Sequence, residues 1–176
     1  AHPREDTRHM LIHCQMAHDH HIDRMKALGV IPSYFINHVY YWGDRHKNIF
    51  MGPERAARID PLGSSLRKGL KSVMHCDFPV TPIDPWFTMH TAVNRHTRSG
   101  ETLGPDERLT PYETLKAFTI DTAWCSFEED IKGSLEVGKL ADFAVCDDNM
   151  LTCDPLKIKD IKVLRTVIGG RTVYEM

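Results

Sequence analysis

Two polar residues, His13 and Asp77, each follow a short apolar run and are placed where they could act on a bound molecule. Val73 and Met74 suit a buried strand, Asp77 lies where that strand would run out, and Pro79 prevents regular continuation. Barrel enzymes place catalytic groups at such carboxyl ends of buried strands. These residues alone leave open a simpler interpretation, in which Asp77 only caps a turn.

A second stretch of the same design supports the chemical interpretation. Residues 8–15 contain another apolar run, and His13 occupies the equivalent strand end. Neutral imidazole binds zinc-like ions well, and a carboxylate can both ligate a metal and accept a proton from water. An imidazole and a carboxylate at two strand ends are therefore the kind of pair that a hydrolytic metal site needs.

The elements that must position these residues alternate between strand and helix. Hydrophobic periodicity predicts strands over residues 8–13 and 30–36 and a third strand just before Asp77, with helices over 19–28 and 62–68. Gly29 is a good stop for the first helix. A long aromatic loop is predicted over residues 40–45. This alternation is typical of a parallel sheet in an α/β fold.

The pattern changes after Asp77. A helix is predicted over residues 86–95, and Thr110, Pro111 and Glu113 form an N-cap and capping box for a helix running to about residue 123. Its buried face is predicted to carry Leu115, Phe118 and Thr122. Strands over 141–146 and 163–168, and a third after Gly169-Gly170, should form a separate antiparallel unit.

Several stretches resemble the amidohydrolase superfamily, specifically its bacterial amidohydrolase-3 branch. The resemblance runs from about Arg8 to Val173 and is carried by MLIHCQMAHDHHIDRMKALGV, MHCDFPVTP, AVNRHTRSG, LTPYETLKAFTIDTA and GSLEVGKLADFAVCDDN. It implies a TIM barrel with a small β-sandwich built from both ends of the chain. A complete barrel usually needs about 250 residues, whereas this chain has 176.

By this resemblance, the chain corresponds to the C-terminal part of a larger enzyme. Residues 1–130 would hold about strands six to eight of the (β/α)8 barrel, and residues 131–176 would hold C-terminal strands of the sandwich. The family's His-x-His pair, its bridging Lys or Glu and its fifth-strand His have no counterpart here. The resemblance therefore implies a natural truncation or an expressed fragment that is inactive alone.

The same resemblance assigns roles to individual residues. His13 matches the sixth-strand metal ligand, although a buried histidine bonded to backbone would look the same. Asp77 matches the eighth-strand carboxylate that binds metal and takes a proton from the nucleophilic water. His38, after the seventh strand, would contact the substrate or transition state. His75 departs from the small residue expected before the aspartate, and could alter the pocket or supply an unusual ligand. Trp42, Asp44 and Arg45 lie in the predicted aromatic loop. They would either line a substrate pocket or belong to a plain surface loop.

The implied activity is hydrolysis of a C–N bond in an amide, formamide or cyclic amide of a small molecule. The implied cofactor is a divalent metal, zinc first, in the intact enzyme. Because the chain supplies two of the three or four ligands that such a site needs, we expect it to hold little or no metal alone. Two alternatives stay open: a non-catalytic binding or assembly module, and one part of a split enzyme completed by another chain.

Composition narrows the possible partners. Hydrophobic residues make up 41% of the chain, enough for a core, and the net charge of −2 gives no basic patch for nucleic acid. No apolar run has membrane-spanning length, and the N-terminal residues do not read as a signal peptide. Five cysteines without framework spacing predict free thiols and a cytoplasmic location. Unpaired strand edges predict a homo-oligomer.

Overall fold

Three short parallel strands carry the predicted site in the computed structural model, which describes residues 4–176. They are β1 (Met10–His13), β2 (Ile31–Tyr34) and β3 (Val73–Met74), in the order β1-β2-β3. His13 pairs with Tyr34, and Tyr34 with Met74, so the three carboxyl ends lie side by side. The predicted parallel α/β alternation is confirmed, although the second strand is shorter than the predicted 30–36.

Helix α1 (Asp19–Leu28) connects β1 to β2 with the predicted bounds. Gly29 ends it at φ 66°, a left-handed conformation that glycine adopts without steric cost. Ile22 and Met25 face inward and pack on Ala17 and Leu70. The apolar spacing of α1 thus anchors the helix beside the strands, where it fixes the direction of β1.

The predicted aromatic loop over residues 40–45 is wrong, because this segment belongs to α2 (His38–Arg45). The ring of Tyr40 packs edge-on against Phe87 at 4.8 Å between centroids, and Trp42 packs against Phe35 at 5.8 Å. Aromatic residues have modest helix propensity on their own, so these tertiary contacts decide the conformation. A π-helical turn (His46–Phe50), α3 (Pro53–Ala56) and α4 (Leu62–Arg67) complete the connection to β3.

The segment after β3 is helical. Helix α5 (Pro85–Asn94) lies within one residue of its predicted bounds, and a 3₁₀ turn follows at Pro105–Glu107. The single helix predicted from Thr110 to about residue 123 is instead two helices, α6 (Pro111–Phe118) and α7 (Ile120–Cys125).

The break between α6 and α7 has a local cause. Thr119 leaves helical geometry at φ −117° and ψ −90°, and its hydroxyl donates to the carbonyl of Leu115 at 2.7 Å. Threonine hydroxyls compete in this way with backbone hydrogen bonds. The predicted buried face is confirmed for Leu115 and Phe118, which are half-buried and pack against buried apolar clusters, but it is wrong for Thr122, which is exposed. Thr114 and Ala117 are the fully buried residues of α6.

The last strands form a second sheet, as predicted. It contains β4 (Phe143–Cys146), β5 (Val163–Ile168) and β6 (Arg171–Glu175), all antiparallel and in the order β4-β5-β6. Every residue of β6 is exposed, and β5 buries only Val167 fully. The sheet is tied to α5 through an apolar cluster made of Met89, Val93, Met150, Ile158 and Ile161.

The main core lies behind the strand ends. Its residues come from β2, β3 and the helices between them and after them: Tyr34, Ile36, Val39, Ala56, Ile59, Leu62, Met74, Ala92, Leu103, Leu109 and Ala117. Gly104 has φ +64°, and a Cβ there would lie 1.9 Å from the carbonyl oxygen of Ala57. None of the helices in residues 4–176 is both long and apolar enough to cross a membrane.

Candidate metal and catalytic site

The carboxyl ends of the parallel strands bring His13 and Asp77 together, as the sequence predicted. The Nε2 atom of His13 lies 3.5 Å from Oδ2 of Asp77. His75, just after β3, stacks its ring on that of His13 at 5.3 Å between centroids. In the described part of the chain, one donor atom from each of these three residues lies within 4.8 Å of the other two.

The backbone at both predicted site residues is unusual. His13 has φ 71° and Asp77 has φ 55°, in the left-handed region that residues with a Cβ rarely adopt. Such conformations cost of order 1–3 kcal/mol each and cluster at functional sites.

A cleft of about 310 Å³ opens at these strand ends. Phe35 is 2% exposed and forms its floor, with the rings of His13, His38 and His75 all within 5.6 Å of the Phe35 centroid. The cleft combines an apolar floor with a few converging polar groups, as small-molecule sites do. Its lining is His13, Gln15, Phe35, His38, Trp42, His46, Asp77 and Val80.

His38 lines this cleft and is held from behind by a carboxylate. Its Nδ1 lies 3.5 Å from Oδ1 of Asp60, a residue with no solvent exposure. Sequence reasoning placed His38 at a strand end, whereas it opens α2, four residues beyond β2. An imidazole with one nitrogen facing a buried carboxylate keeps its other nitrogen available for a substrate.

Asp60 is itself fixed by its neighbours. The Arg95 guanidinium donates to the carbonyls of Ile59 at 2.7 Å and Asp60 at 3.2 Å, and the Asp60 N–H donates to the carbonyl of Gln15 at 2.9 Å. Burial raises the pKa of the Asp60 carboxyl, and the nearby His38 opposes that rise. Burial likewise lowers the pKa of Arg95 to about 10. These contacts join the loops that follow β1 and α3 beneath the cleft.

His75 is oriented by a hydrogen bond to Ser33. Its Nδ1 lies 2.8 Å from the hydroxyl of Ser33, which is 3% exposed. Burial, and after it the adjacent His13, lower the pKa of the His75 imidazole to about 4. Within residues 4–176, the buried Nε2 of His75 has no hydrogen-bond partner.

Two of the predicted substrate-binding residues do not reach the cleft. The carboxylate of Asp44 accepts hydrogen bonds from the N–H of Ser99 at 3.0 Å and its hydroxyl at 2.7 Å. The guanidinium of Arg45 lies over the ring of Phe50, 5.5 Å from its centroid. Both side chains leave α2 on faces that do not line the cleft, so of the three residues in the predicted loop only Trp42 lines it.

Sequence reasoning missed Asp60, Ser33, Phe35, Gln15 and His46. Gln15 and His46 meet at 2.9 Å between their side-chain nitrogens on one wall of the cleft. Gln15 follows His13 by two residues, so its position was a usable signal. Asp60 gave none, because an isolated aspartate in a connecting segment resembles any turn residue.

A larger cleft of about 450 Å³ lies beside α1 and the outer edge of β1. Its lining is mostly apolar and includes Leu11, Met25, Leu28 and Val30 but neither His13 nor Asp77. A third cleft, of about 650 Å³, is lined by residues of α6, α7 and β4, so size alone would favour neither of the other two. We favour the smaller cleft, since it holds the converging imidazoles and the carboxylate on which chemistry depends.

The donor set at the strand ends fits a divalent transition metal. Imidazole nitrogen and carboxylate oxygen are the ligands of catalytic zinc sites, and imidazole also suits iron, copper and nickel. The orphaned Nε2 of His75 points to a missing electrophilic partner at the same place. His13, Asp77 and their surroundings are therefore compatible with the metal implied by the family resemblance.

Donors at the carboxyl ends of parallel strands are the arrangement that α/β barrel enzymes use for their active sites. Residues 1–174 match the model of the amidohydrolase family. The chain belongs to the amidohydrolase family. It is 32% identical over 171 residues to an N-substituted formamide deformylase of Arthrobacter pascens, and the match covers 97% of this chain and 31% of that protein.

Solved structures agree with this assignment. An uncharacterized metal-dependent hydrolase from Pyrococcus furiosus superposes with a TM-score of 0.61 at 26% identity, over 84% of this chain and 29% of that one. An adenosine deaminase from Xanthomonas campestris with bound zinc superposes at 0.68 and 18% identity, over 94% and 37%, which shows the fold alone. The chain spans about a third of the length of the curated relatives that it matches.

Proposed function

We propose that this chain provides the His13–Asp77 half of a metal-dependent hydrolase that cleaves a C–N bond in an amide, formamide or cyclic amide. The observation that carries the proposal is the 3.5 Å approach of His13 Nε2 to Asp77 Oδ2 at the mouth of the strand-end cleft. Membership of the amidohydrolase family supports it.

The chemistry assigns one role to each side chain. A bound divalent ion supplies a Lewis acid for water and for the scissile carbonyl. His13 and Asp77 would hold that ion, with zinc as our first choice. Asp77 also takes the proton of the attacking water and delivers it to the leaving nitrogen. His38, held by Asp60 on its other side, donates a hydrogen bond to the developing oxyanion.

The cleft favours a small acyl group with an apolar nitrogen substituent. Phe35, in the floor of the cleft, and Trp42 provide an aromatic surface beside the polar cluster, with 5.8 Å between their ring centroids. A relative that acts on N-substituted formamides, by its name, is 32% identical to this chain. We therefore propose N-substituted formamides as the first substrates to test. Asp44 and Arg45 have no role in this proposal.

We further propose that β1, β2 and β3 are strands six to eight of a TIM barrel within residues 1–130. The outer edge of β1 supports this: in the described chain β1 pairs only with β2, and Met10, Leu11 and Ile12 are 41%, 50% and 59% exposed. An apolar strand edge with unpaired backbone groups is expected to pair with a further strand. Those strands would come from additional polypeptide, in one chain or in a split enzyme.

Residues 131–176 are proposed to be part of a β-sandwich. The supporting observation is the exposure of apolar side chains on the antiparallel sheet, namely Phe143, Val145, Ile168, Val173 and Tyr174. A sandwich sheet normally buries one face against a second sheet. All five cysteines are free thiols, which supports a reducing, cytoplasmic setting.

Turnover by the longest in-frame polypeptide that contains this chain tests the proposal. Purified with zinc, it should hydrolyse at least one member of a panel of N-substituted formamides, amides and cyclic amides. Asp77→Asn should lower kcat by at least about 1,000-fold, since it removes both a ligand and the proton acceptor. Asp130→Asn, an exposed surface change, is the matched control and should not alter kcat.

Two results would overturn the proposal. One is a folded polypeptide that turns over nothing in the panel and carries almost no metal after purification, which would favour the non-catalytic module. The other is full turnover by Asp77→Asn.

A further inference from the structure

We propose that His75 is a third metal-binding residue, which completes a two-histidine, one-carboxylate site for a divalent transition metal within this chain. The inference rests on the proposed function for the location of the metal. From the sequence, which offers two ligands, we expect the chain to hold little or no metal alone. A third ligand changes that expectation.

The geometry brings three donors to one point. The donor atoms of His13, His75 and Asp77 all lie within 4.8 Å of one another. Metal bonds of about 2.0–2.2 Å allow the donors of one ion to lie up to roughly 4 Å apart. Small rotations of partly exposed side chains, such as His13 and Asp77, close the remaining difference. His13 is the last residue of β1, and His75 and Asp77 follow β3, so the sheet itself holds the cluster.

The orientation of His75 suits a ligand better than a packing residue. Its Nδ1 lies 2.8 Å from the Ser33 hydroxyl, which accepts a hydrogen bond from the ring in the Nδ1–H tautomer, and its backbone N–H donates to the carbonyl of Tyr34 at 3.0 Å. Metal-binding histidines commonly donate their other ring N–H in this way, which fixes the tautomer. In this tautomer Nε2 carries the free lone pair.

The free Nε2 atom is the second, independent observation. It is buried and has no hydrogen-bond partner within residues 4–176. Leaving a buried polar atom unsatisfied costs about 1–3 kcal/mol, and native structures seldom accept that cost without a function. A metal ion beside His13 and Asp77 would satisfy this atom.

Another histidine cluster could bind metal adventitiously and must be controlled. His18, His20 and His21 lie together at the start of α1, with ring centroids 3.9–5.9 Å apart. His20 is exposed and lines neither the 310 Å³ nor the 450 Å³ cleft. His20→Ala is therefore the matched control for His75→Ala: each removes one imidazole from a histidine cluster.

Calorimetric titration of the 176-residue chain with Zn²⁺ at pH 7.5 tests the inference. The wild-type chain should bind one equivalent, and His75→Ala should weaken binding by at least about 100-fold, because even the loss of a partner that orients a ligand costs about 10–100-fold. Ser33→Ala should weaken it by about 10-fold. His20→Ala should bind as the wild type does. Because His75→Ala could unfold the chain, His75→Gln is tested beside it as a variant that keeps the side-chain volume. Circular dichroism must show native helix content for both variants.

Co²⁺ gives a second readout that does not depend on activity. The visible absorption of the Co²⁺-loaded chain should change in His75→Gln and stay unchanged in His20→Ala. Equal Zn²⁺ affinity and an unchanged Co²⁺ spectrum in His75→Gln would overturn the inference, as would a wild-type chain without stoichiometric binding. Neither result would overturn the hydrolase proposal, because that proposal is tested by turnover of the longer polypeptide.

Discussion

At the scale of single residues, Asp60 is a carboxyl group with no solvent exposure. Within residues 4–176, His38 is the only basic side chain within salt-bridge distance of it. The backbone of Asp60 is left-handed at φ 49°, a conformation that asparagine also tolerates. Burial raises its pKa, so the folded state favours the protonated form. The group stabilises the fold below its unfolded pKa, and that contribution is lost as pH rises through the folded pKa.

Asp60→Asn tests this account of the buried carboxyl. Asparagine removes the buried charge and keeps the shape, so Tm at pH 7.5 should rise by about 2–4 °C, the shift expected for roughly 1 kcal/mol in a chain of this size. The difference from wild type should shrink as pH falls toward 4. Thermal unfolding at several pH values measures both effects. A lower Tm for the variant, with a difference that grows in acid, would contradict it.

His75 gives the opposite pH dependence. Its folded pKa of about 4 lies below the ordinary value of 6.5, because burial and then His13 disfavour the charged ring. Stability is therefore complete above pH 6.5 and lost as pH falls from 6.5 toward 4. In metal-free buffer, His75→Gln should lose less stability than wild type over this range. Urea unfolding at pH 7, 5.5 and 4.5 measures this, with exposed His9→Gln as control; identical slopes would refute the assignment.

At the scale of elements, the start of α6 is the clearest local signal in the chain. Thr110 Oγ1 accepts from the N–H of Glu113 at 3.2 Å, and Glu113 Oε2 accepts from the N–H of Thr110 at 2.8 Å. Thr110→Ala should lower stability by about 1 kcal/mol, a typical loss for an N-cap. Thr152→Ala, an exposed threonine with one long 3.4 Å contact, should leave it unchanged. Equal Tm values for both variants would refute the capping role.

Local signals predicted elements whose ends are fixed by their own residues. The bounds of α1, stopped by Gly29, and the start of α6 at Thr110 follow from capping that needs no distant partner. The helix α2 could not be predicted, because its conformation depends on ring contacts with Phe35 and Phe87, the latter far along the chain.

The same distinction applies to the site. The placement of His13 and Asp77 together followed from strand ends in a parallel sheet, which is a general property of that architecture. The support of His38 by Asp60 depends on Arg95 and Gln15, residues that meet only in the folded chain. The exclusion of Asp44 from the cleft likewise depends on its hydrogen bonds to Ser99.

At the scale of the whole molecule, the outer edge of β1 should drive association of the chain. Leu11 is half exposed and lines the 450 Å³ cleft together with Met25 and Leu28. Because unpaired apolar edges attract further strands, the chain should sediment as a dimer or larger species at micromolar concentration. Leu11→Glu should shift it toward monomer, while Leu151→Glu, 45% exposed on another surface, should not. A wild-type monomer would contradict the barrel-part proposal.

The central claim is that the ends of the parallel strands bind a divalent metal, and anomalous diffraction at the zinc edge tests it most directly. Crystals of the zinc-loaded chain should show one strong anomalous peak between Nε2 of His13 and Oδ2 of Asp77. These two atoms lie 3.5 Å apart in the structure. A strong peak only at His18, His20 and His21, or no peak in a well-ordered crystal, would contradict the claim.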